Sequence, residues 1–289
     1  MAQGAGDSPY SAFGFGDLLN TGQVSQAMMG GAGVGFTEPY SVIMENPASY
    51  TGLARPVFEV GATLRTTRTD YDGGHAGRND ADFEGFSLGV PFGKGKWGLA
   101  LGLSPFSNVQ YSATRNVPFD EGTVEYDYIG TGGLNKAFFG LGNVLYQHRP
   151  DSLGNTGGRL SIGANFDFMF GSVEETRNAV YPAGGDFSNT RAFSSLVLRA
   201  PTADASLMWQ GDLTRKKNRD ADNWRYNIGV SAQLPATIHA KYDRLVSTYI
   251  TASDIETIRD TVENNNGVRG TVFLPAMVGF GASVQNSRW

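Results

Sequence analysis

The chain has 289 residues, 39 of them glycine and 12% aromatic, with 18% charged side chains, a formal net charge of −5 and a mean hydropathy of −0.26. Its most apolar stretches, such as residues 99–103 and 166–170, are far shorter than the roughly 18 apolar residues a membrane-spanning helix needs. The aromatic content opposes disorder, the acidic balance leaves no basic stripe for nucleic acid, and zero cysteine removes disulfides, thiolate metal sites and cysteine nucleophiles. Glycine, aromatics and alternation without long apolar runs are what a transmembrane β-barrel requires, since each strand faces lipid with half its residues and a polar lumen with the other half.

Residues 1–55 come first and lack sustained alternation. They contain a Gly-rich stretch, residues 27–36, followed by Asn46-Pro47-Ala48. This segment is too irregular to cross lipid, where backbone groups must be paired internally, so its expected place is inside a barrel. Met1-Ala2-Gln3 reads as the tail of a signal peptide, with cleavage expected after Ala2.

Period-two strands follow. Phe86, Leu88, Val90 and Phe92 alternate with Ser87, Gly89 and Pro91; beyond Gly93-Lys94-Gly95-Lys96, Trp97, Leu99, Leu101 and Leu103 alternate with Gly98, Ala100, Gly102 and Ser104. A soluble sandwich usually carries charges on its second face, whereas Gly, Ala and Ser suit a crowded barrel interior. Residues 160–170 and 224–234 repeat the pattern, each with six lipid-type residues in register over about 11 positions, the length a tilted strand needs to cross a bilayer. Weaker examples are residues 58–64, 134–146, 196–209 and 272–284, which brings the expected count to eight strands.

The connections at 93–96, 149–158, 213–223 and 285–288 are mostly shorter than those at 70–82, 107–133, 177–190 and 247–269. Short and long links alternate as periplasmic turns and extracellular loops do in outer-membrane barrels. Within the last long link, Ser253-Asp254-Ile255-Glu256 fits a capping box, and Ile255, Ile258 and Val262 share a helical face; a short helix and an extended loop both remain open.

Candidate chemistry is sparse. Residues 93–98 match G-x-G-x-x-G but run into a strand instead of a helix, so a hairpin turn is the better reading. Asp80, Asp82 and Glu84 imitate the start of a calcium loop, but the twelfth position is Pro91 rather than Glu, which leaves at most a loose divalent-ion site. His75, His148 and His239 lie far apart with no nucleophile in a matching frame. The Arg215-Lys216-Lys217 cluster reads either as a solvated turn or as a partner contact. No catalytic residue, metal site or cofactor is expected.

Taken in order, Ser8-Pro9-Tyr10-Ser11-Ala12-Phe13-Gly14-Phe15-Gly16-Asp17, the Gly-Gly-Ala-Gly-Val-Gly run of residues 30–35, Asn46-Pro47-Ala48, Gly130-Thr131-Gly132-Gly133-Leu134-Asn135 and Phe170-Gly171-Ser172 resemble the FadL-type outer-membrane proteins of the Bacteroidetes lineage. The resemblance covers essentially the whole chain. It implies an all-β, 14-stranded transmembrane barrel with residues 1–55 as a lumen hatch and residues 56–289 as barrel. Since about 8 to 9 strands are legible here, it also implies a carboxyl-terminally truncated or partly assigned chain. In that family the ligand leaves through a gap made by a kinked strand, and Pro91, Pro105, Pro201, Pro235 and Pro275 are the positions compatible with a kink.

The function implied is passage of hydrophobic small molecules, long-chain fatty acids or aromatic hydrocarbons, across the outer membrane of a Gram-negative cell. The candidate ligand-path and hatch residues are Asn46, Pro47 and Ala48, with Met28, Met29, Phe36 and Met44 as an adaptable apolar lining. Expected partners are membrane lipids, a hydrophobic ligand and an outer-membrane protein, with no nucleic acid. The alternative is an interaction or structural subunit of a larger complex, such as a PorV-like component of type IX secretion. A soluble β-sandwich ranks third.

Overall fold

The computed structural model describes residues 9–19, 26, 30–71, 74–119, 122–149, 152, 155, 157–182, 187–214, 223–252 and 255–286. Its strands are β1 (Asp17–Leu18), β2 (Val57–Tyr71), β3 (Gly74–Phe92), β4 (Trp97–Phe119), β5 (Gly122–Gln147), β6 (Arg159–Val180), β7 (Asn189–Asp212), β8 (Trp224–Gln233), β9 (Ala236–Ala252), β10 (Ile255–Leu274) and β11 (Met277–Asn286). All belong to one antiparallel sheet running from β2 through β3, β4, β5, β6 and β7 to β9 and β10, with β8 pairing β7 and β11 pairing β8. The remaining helical structure consists of short 3-10 turns at Pro9–Ala12 and Pro47–Gly52. No helix is long and apolar enough to cross a membrane.

The two faces of the sheet differ as the alternation requires. Leu64, Phe166 and Phe280 stand 84%, 59% and 79% exposed on one face, while Ser87, Ala100, Ser161 and Asn165 are buried on the other. Aromatic rings collect where strands meet the turns at one end: Phe92 stacks on Trp97, Tyr146 stacks on Trp209, and the Trp209 indole donates to the Tyr226 hydroxyl at 3.0 Å. Amphipathic rings of this kind mark a membrane–water interface.

β1 and the breaks at Leu234-Pro235 and Pro275-Ala276 raise the count from the expected eight to eleven, while the long links turn into strand extensions. β4, β5, β6 and β7 run for 23, 26, 22 and 24 residues, more than twice the ten or so that cross a bilayer. The spans expected as extracellular loops are therefore strand hairpins. Residues 247–269 correct the sequence reading most sharply, because Ile255, Ile258 and Val262 lie on β10, paired with β9, and on no helix. Their β-branched side chains suit a strand as well as a helix face, and pairing with β9 decides between them. Ser253 and Asp254 lie outside the described residues.

Three prolines fall where the ladder is interrupted. β8 and β9 follow one path along β7, broken at Leu234-Pro235, and β10 and β11 follow the next, broken at Pro275-Ala276. Pro201 sits in the stretch of β7 that lies between its β8 and β9 partners, where a missing N–H costs nothing. Apart from β1, the strands thus follow eight paths, and among the described residues the sheet ends at β2 and at β10–β11. The 14 strands implied by the family resemblance are not reached.

Candidate functional site

Two features stand out: a segment that covers the inner face of the sheet, and a split in its wall. The segment begins with the Gly-rich run and ends at the 3-10 turn Pro47–Gly52, where proline at the first helical position presets the backbone angle. Val42, Ile43, Met44, Ala48 and Tyr50 are fully buried against the sheet. Burial of each large apolar side chain contributes about 1.5–3 kcal/mol. Close approach depends on the small face of the strands, since a Cβ at Gly98 would run into the Tyr50 backbone and one at Gly163 into the Pro47–Ala48 peptide.

Hydrogen bonds stitch this segment to strands across the sheet. On β2, Glu59 accepts from Ser41 Oγ and the Val42 N–H, both at 2.8 Å. On β6, Asn165 accepts from the Tyr50 hydroxyl at 3.0 Å and donates to the Met44 carbonyl at 2.9 Å and to Asp204 on β7 at 3.0 Å. The Ala48 N–H donates to Ser206 Oγ at 2.8 Å, Thr51 shares a 2.9 Å bond with Ser161, and Arg159 donates to the Thr51 carbonyl at 2.6 Å. On β11, Ser283 donates to the Gly35 carbonyl at 2.7 Å. Below this network Lys136 and Asp167 form a buried pair 3.9 Å apart. Burial raises the Glu45 carboxyl above its ordinary value of 4.5, opposed by the nearby Lys136 ammonium.

Of the residues expected at the site, Asn46, Pro47, Ala48 and Met44 are brought together here, all buried. Asn46 donates to the Val34 carbonyl at 2.6 Å and to Met208 Sδ at 3.5 Å, tying the Gly-rich run to the 3-10 turn. Phe36 is half-buried on the same segment. Met28, Met29 and the Arg215-Lys216-Lys217 cluster lie outside the described residues. Sequence reasoning missed Glu59, Ser161, Asn165, Ser206 and Ser283, whose only signal is a polar side chain on the small-residue face. Among the described residues no three His, Cys, Asp or Glu side chains gather as a metal cluster.

The split lies between β3 and β4. Their pairing runs from Phe92↔Trp97 only to Phe86↔Leu103; past that point β3 stays with β2, and β4 stays with β5. Gly85, at a φ of 112° that other residues rarely adopt, stands at the fork, beside a register shift at Gly61/Ala62 and another at Pro105/Ser107. The amino-terminal segment enters here, with β1 pairing Asp17 to Asn108 and Leu18 to Ser107. The Leu19 N–H donates to the Phe106 carbonyl at 2.9 Å, and Ser107 Oγ donates to the Phe15 carbonyl at 2.7 Å. A cavity of about 480 Å³ opens beside it, bordered by Asp82 and Glu84 on β3, Pro105 and Gln110 on β4, Asn135 on β5 and Phe170 on β6.

Paired strands with an apolar, aromatic-edged outer face and a small or polar inner face define a membrane-embedded β-sheet of the outer-membrane kind. The chain belongs to the BamG family, whose model matches residues 1–289. Neither curated proteins nor solved structures gave a match. The family name points to the BAM machinery of outer-membrane assembly, which sets association with the bacterial outer membrane and with an outer-membrane protein partner. It overturns the resemblance to FadL-type proteins, and with it the expected transport of fatty acids or hydrocarbons. The resembling motifs are short 3-10 turns, Gly-rich runs and small residues within strands β5 and β6, which a packed sheet of this kind can carry whatever its function. The alternative of a subunit in a larger complex fits better in kind, while nothing supports the PorV-like form of it.

Proposed function

We propose that this chain is a non-catalytic wall subunit of the outer-membrane assembly complex, acting by contact with protein partners. The observation that carries the reading is the BamG family match over residues 1–289. The covered inner face agrees with it, because a segment bonded to β2, β6, β7 and β11 at once is suited to bracing a wall. In this reading residues 30–55 are a plug that Asn46, Pro47, Ala48 and Met44 hold in place, and the curled sheet is part of a closed barrel, since unpaired edges at β2 and β10–β11 are untenable in lipid.

The test is affinity purification of the tagged full chain from outer membranes in mild detergent, combined with its depletion. The expected result is co-purification of the central barrel of the assembly complex in fixed ratio, and a fall in other outer-membrane barrels on depletion. A chain that purifies alone and whose loss leaves those barrels at normal levels overturns the reading.

A further inference from the structure

We propose that the split between β3 and β4 is a docking slot for an extended segment of a partner polypeptide, basic on one side and apolar on the other, and that residues 9–19 are a stand-in strand which this partner displaces. Two facing edges make the slot. Among the described residues β3 is paired over residues 74–85 to β2 alone, and beyond Pro105 β4 is paired to β5 and, on its other side, meets the amino-terminal segment through the two residues of β1, the Leu19–Phe106 bond and the Ser11 hydroxyl, which bonds both the N–H and the carbonyl of Gln110. A strand edge with unpaired N–H and C=O groups is a ready template for another strand, and extended peptides bind open edges by adding one.

Among the described residues the present occupant meets the β4 edge and leaves β3 over residues 74–85 without a second partner strand. β1 contributes two ladder positions there, and glycines at positive φ, Gly14 at 65° and Gly16 at 91°, bound it on its amino-terminal side. The walls state what a better occupant looks like. Asp82 and Glu84 border the cavity, no Lys or Arg is among its described lining residues, and Phe83 between them is 53% exposed. A strand laid against β3 would therefore meet a carboxylate, an aromatic ring and a second carboxylate in alternation. Cross-strand pairing favours Lys or Arg opposite the carboxylates and an apolar residue opposite Phe83.

The inference stands on the split and not on membership of the assembly complex, and its test reads separately from co-purification. The chain has no cysteine, so Leu18→Cys with Ser107→Cys, a directly paired position, allows the stand-in strand to be locked by oxidation and freed by reduction. The full chain is reconstituted in nanodiscs of neutral lipid and titrated with a peptide of alternating leucine and lysine, and with its leucine–glutamate counterpart.

The expected outcome is that the reduced protein binds the lysine peptide about ten-fold tighter than the glutamate peptide. Oxidation should remove that binding, and Asp82→Asn with Glu84→Gln should erase the preference. Equal binding in the oxidised and reduced forms, equal binding of the two peptides, or displacement of the stand-in strand by oleate but not by peptide overturns the proposal. Should the double-cysteine chain not fold, a spin label on Leu18→Cys alone reports the same event: its mobility rises when the lysine peptide is added, and unchanged mobility overturns the proposal.

Discussion

Asp167 is fully buried, and the Lys136 ammonium 3.9 Å away is the positive charge that offsets its burial. Removing one member of such a pair strands the other charge at a cost of about 3–5 kcal/mol, whereas replacing both with apolar groups is often neutral. Lys136→Met is therefore expected to lower stability by about that amount, and Lys136→Met with Asp167→Leu to recover most of it, measured by denaturant unfolding in micelles. Gly163 tests the packing. Gly163→Val has no room beside Pro47 and Ala48 and should expel the 3-10 turn, seen as loss of hydrogen-exchange protection over residues 41–54. The small face that makes both effects possible was legible as alternation in the sequence, and Asn46-Pro47-Ala48 stood out as a motif. What no pattern carried was that Asn46 reaches Val34 and Met208, because those contacts exist only once the segment lies on the sheet.

At the scale of elements, legibility follows the membrane. Within the apolar band one face must be hydrophobic and the other small, so β3, β4, β6 and β8 announce themselves by period two. Past the band both faces are polar, as at Arg191, which makes a bidentate pair with Glu256 on β10 at 2.9 Å. Pairing continues there while the pattern disappears, which is why strand extensions read as loops. The covering segment supplies a pH prediction at this scale. Folded Glu45 holds its proton to higher pH than the free chain does, so the folded form binds more protons and the seating weakens as pH rises above about 4.5. Hydrogen-exchange protection of residues 41–54, corrected for intrinsic rates, should therefore fall from acid to neutral pH, and Glu45→Gln should flatten the change. A profile that rises toward neutral pH would be contrary to the expected sign.

For the whole molecule, the sheet's outer face fixes its depth in lipid. Trp97, Trp209 and Trp224 all lie on strands close to the same set of turns, so lipids brominated near the headgroup should quench their fluorescence more than lipids brominated at the chain ends. The reverse order would mean that the aromatic edge does not mark an interface. Membrane architecture was readable because lipid imposes it on every strand; the family was not, because it rests on partners that leave no periodic trace. Ser283 and Gly35 are 248 positions apart and joined by a single hydrogen bond, and contacts that distant in sequence form slowly. An early part of the chain thus completes its bonds only with the last strand of the sheet, so its full seating requires both ends of the sheet to be in place.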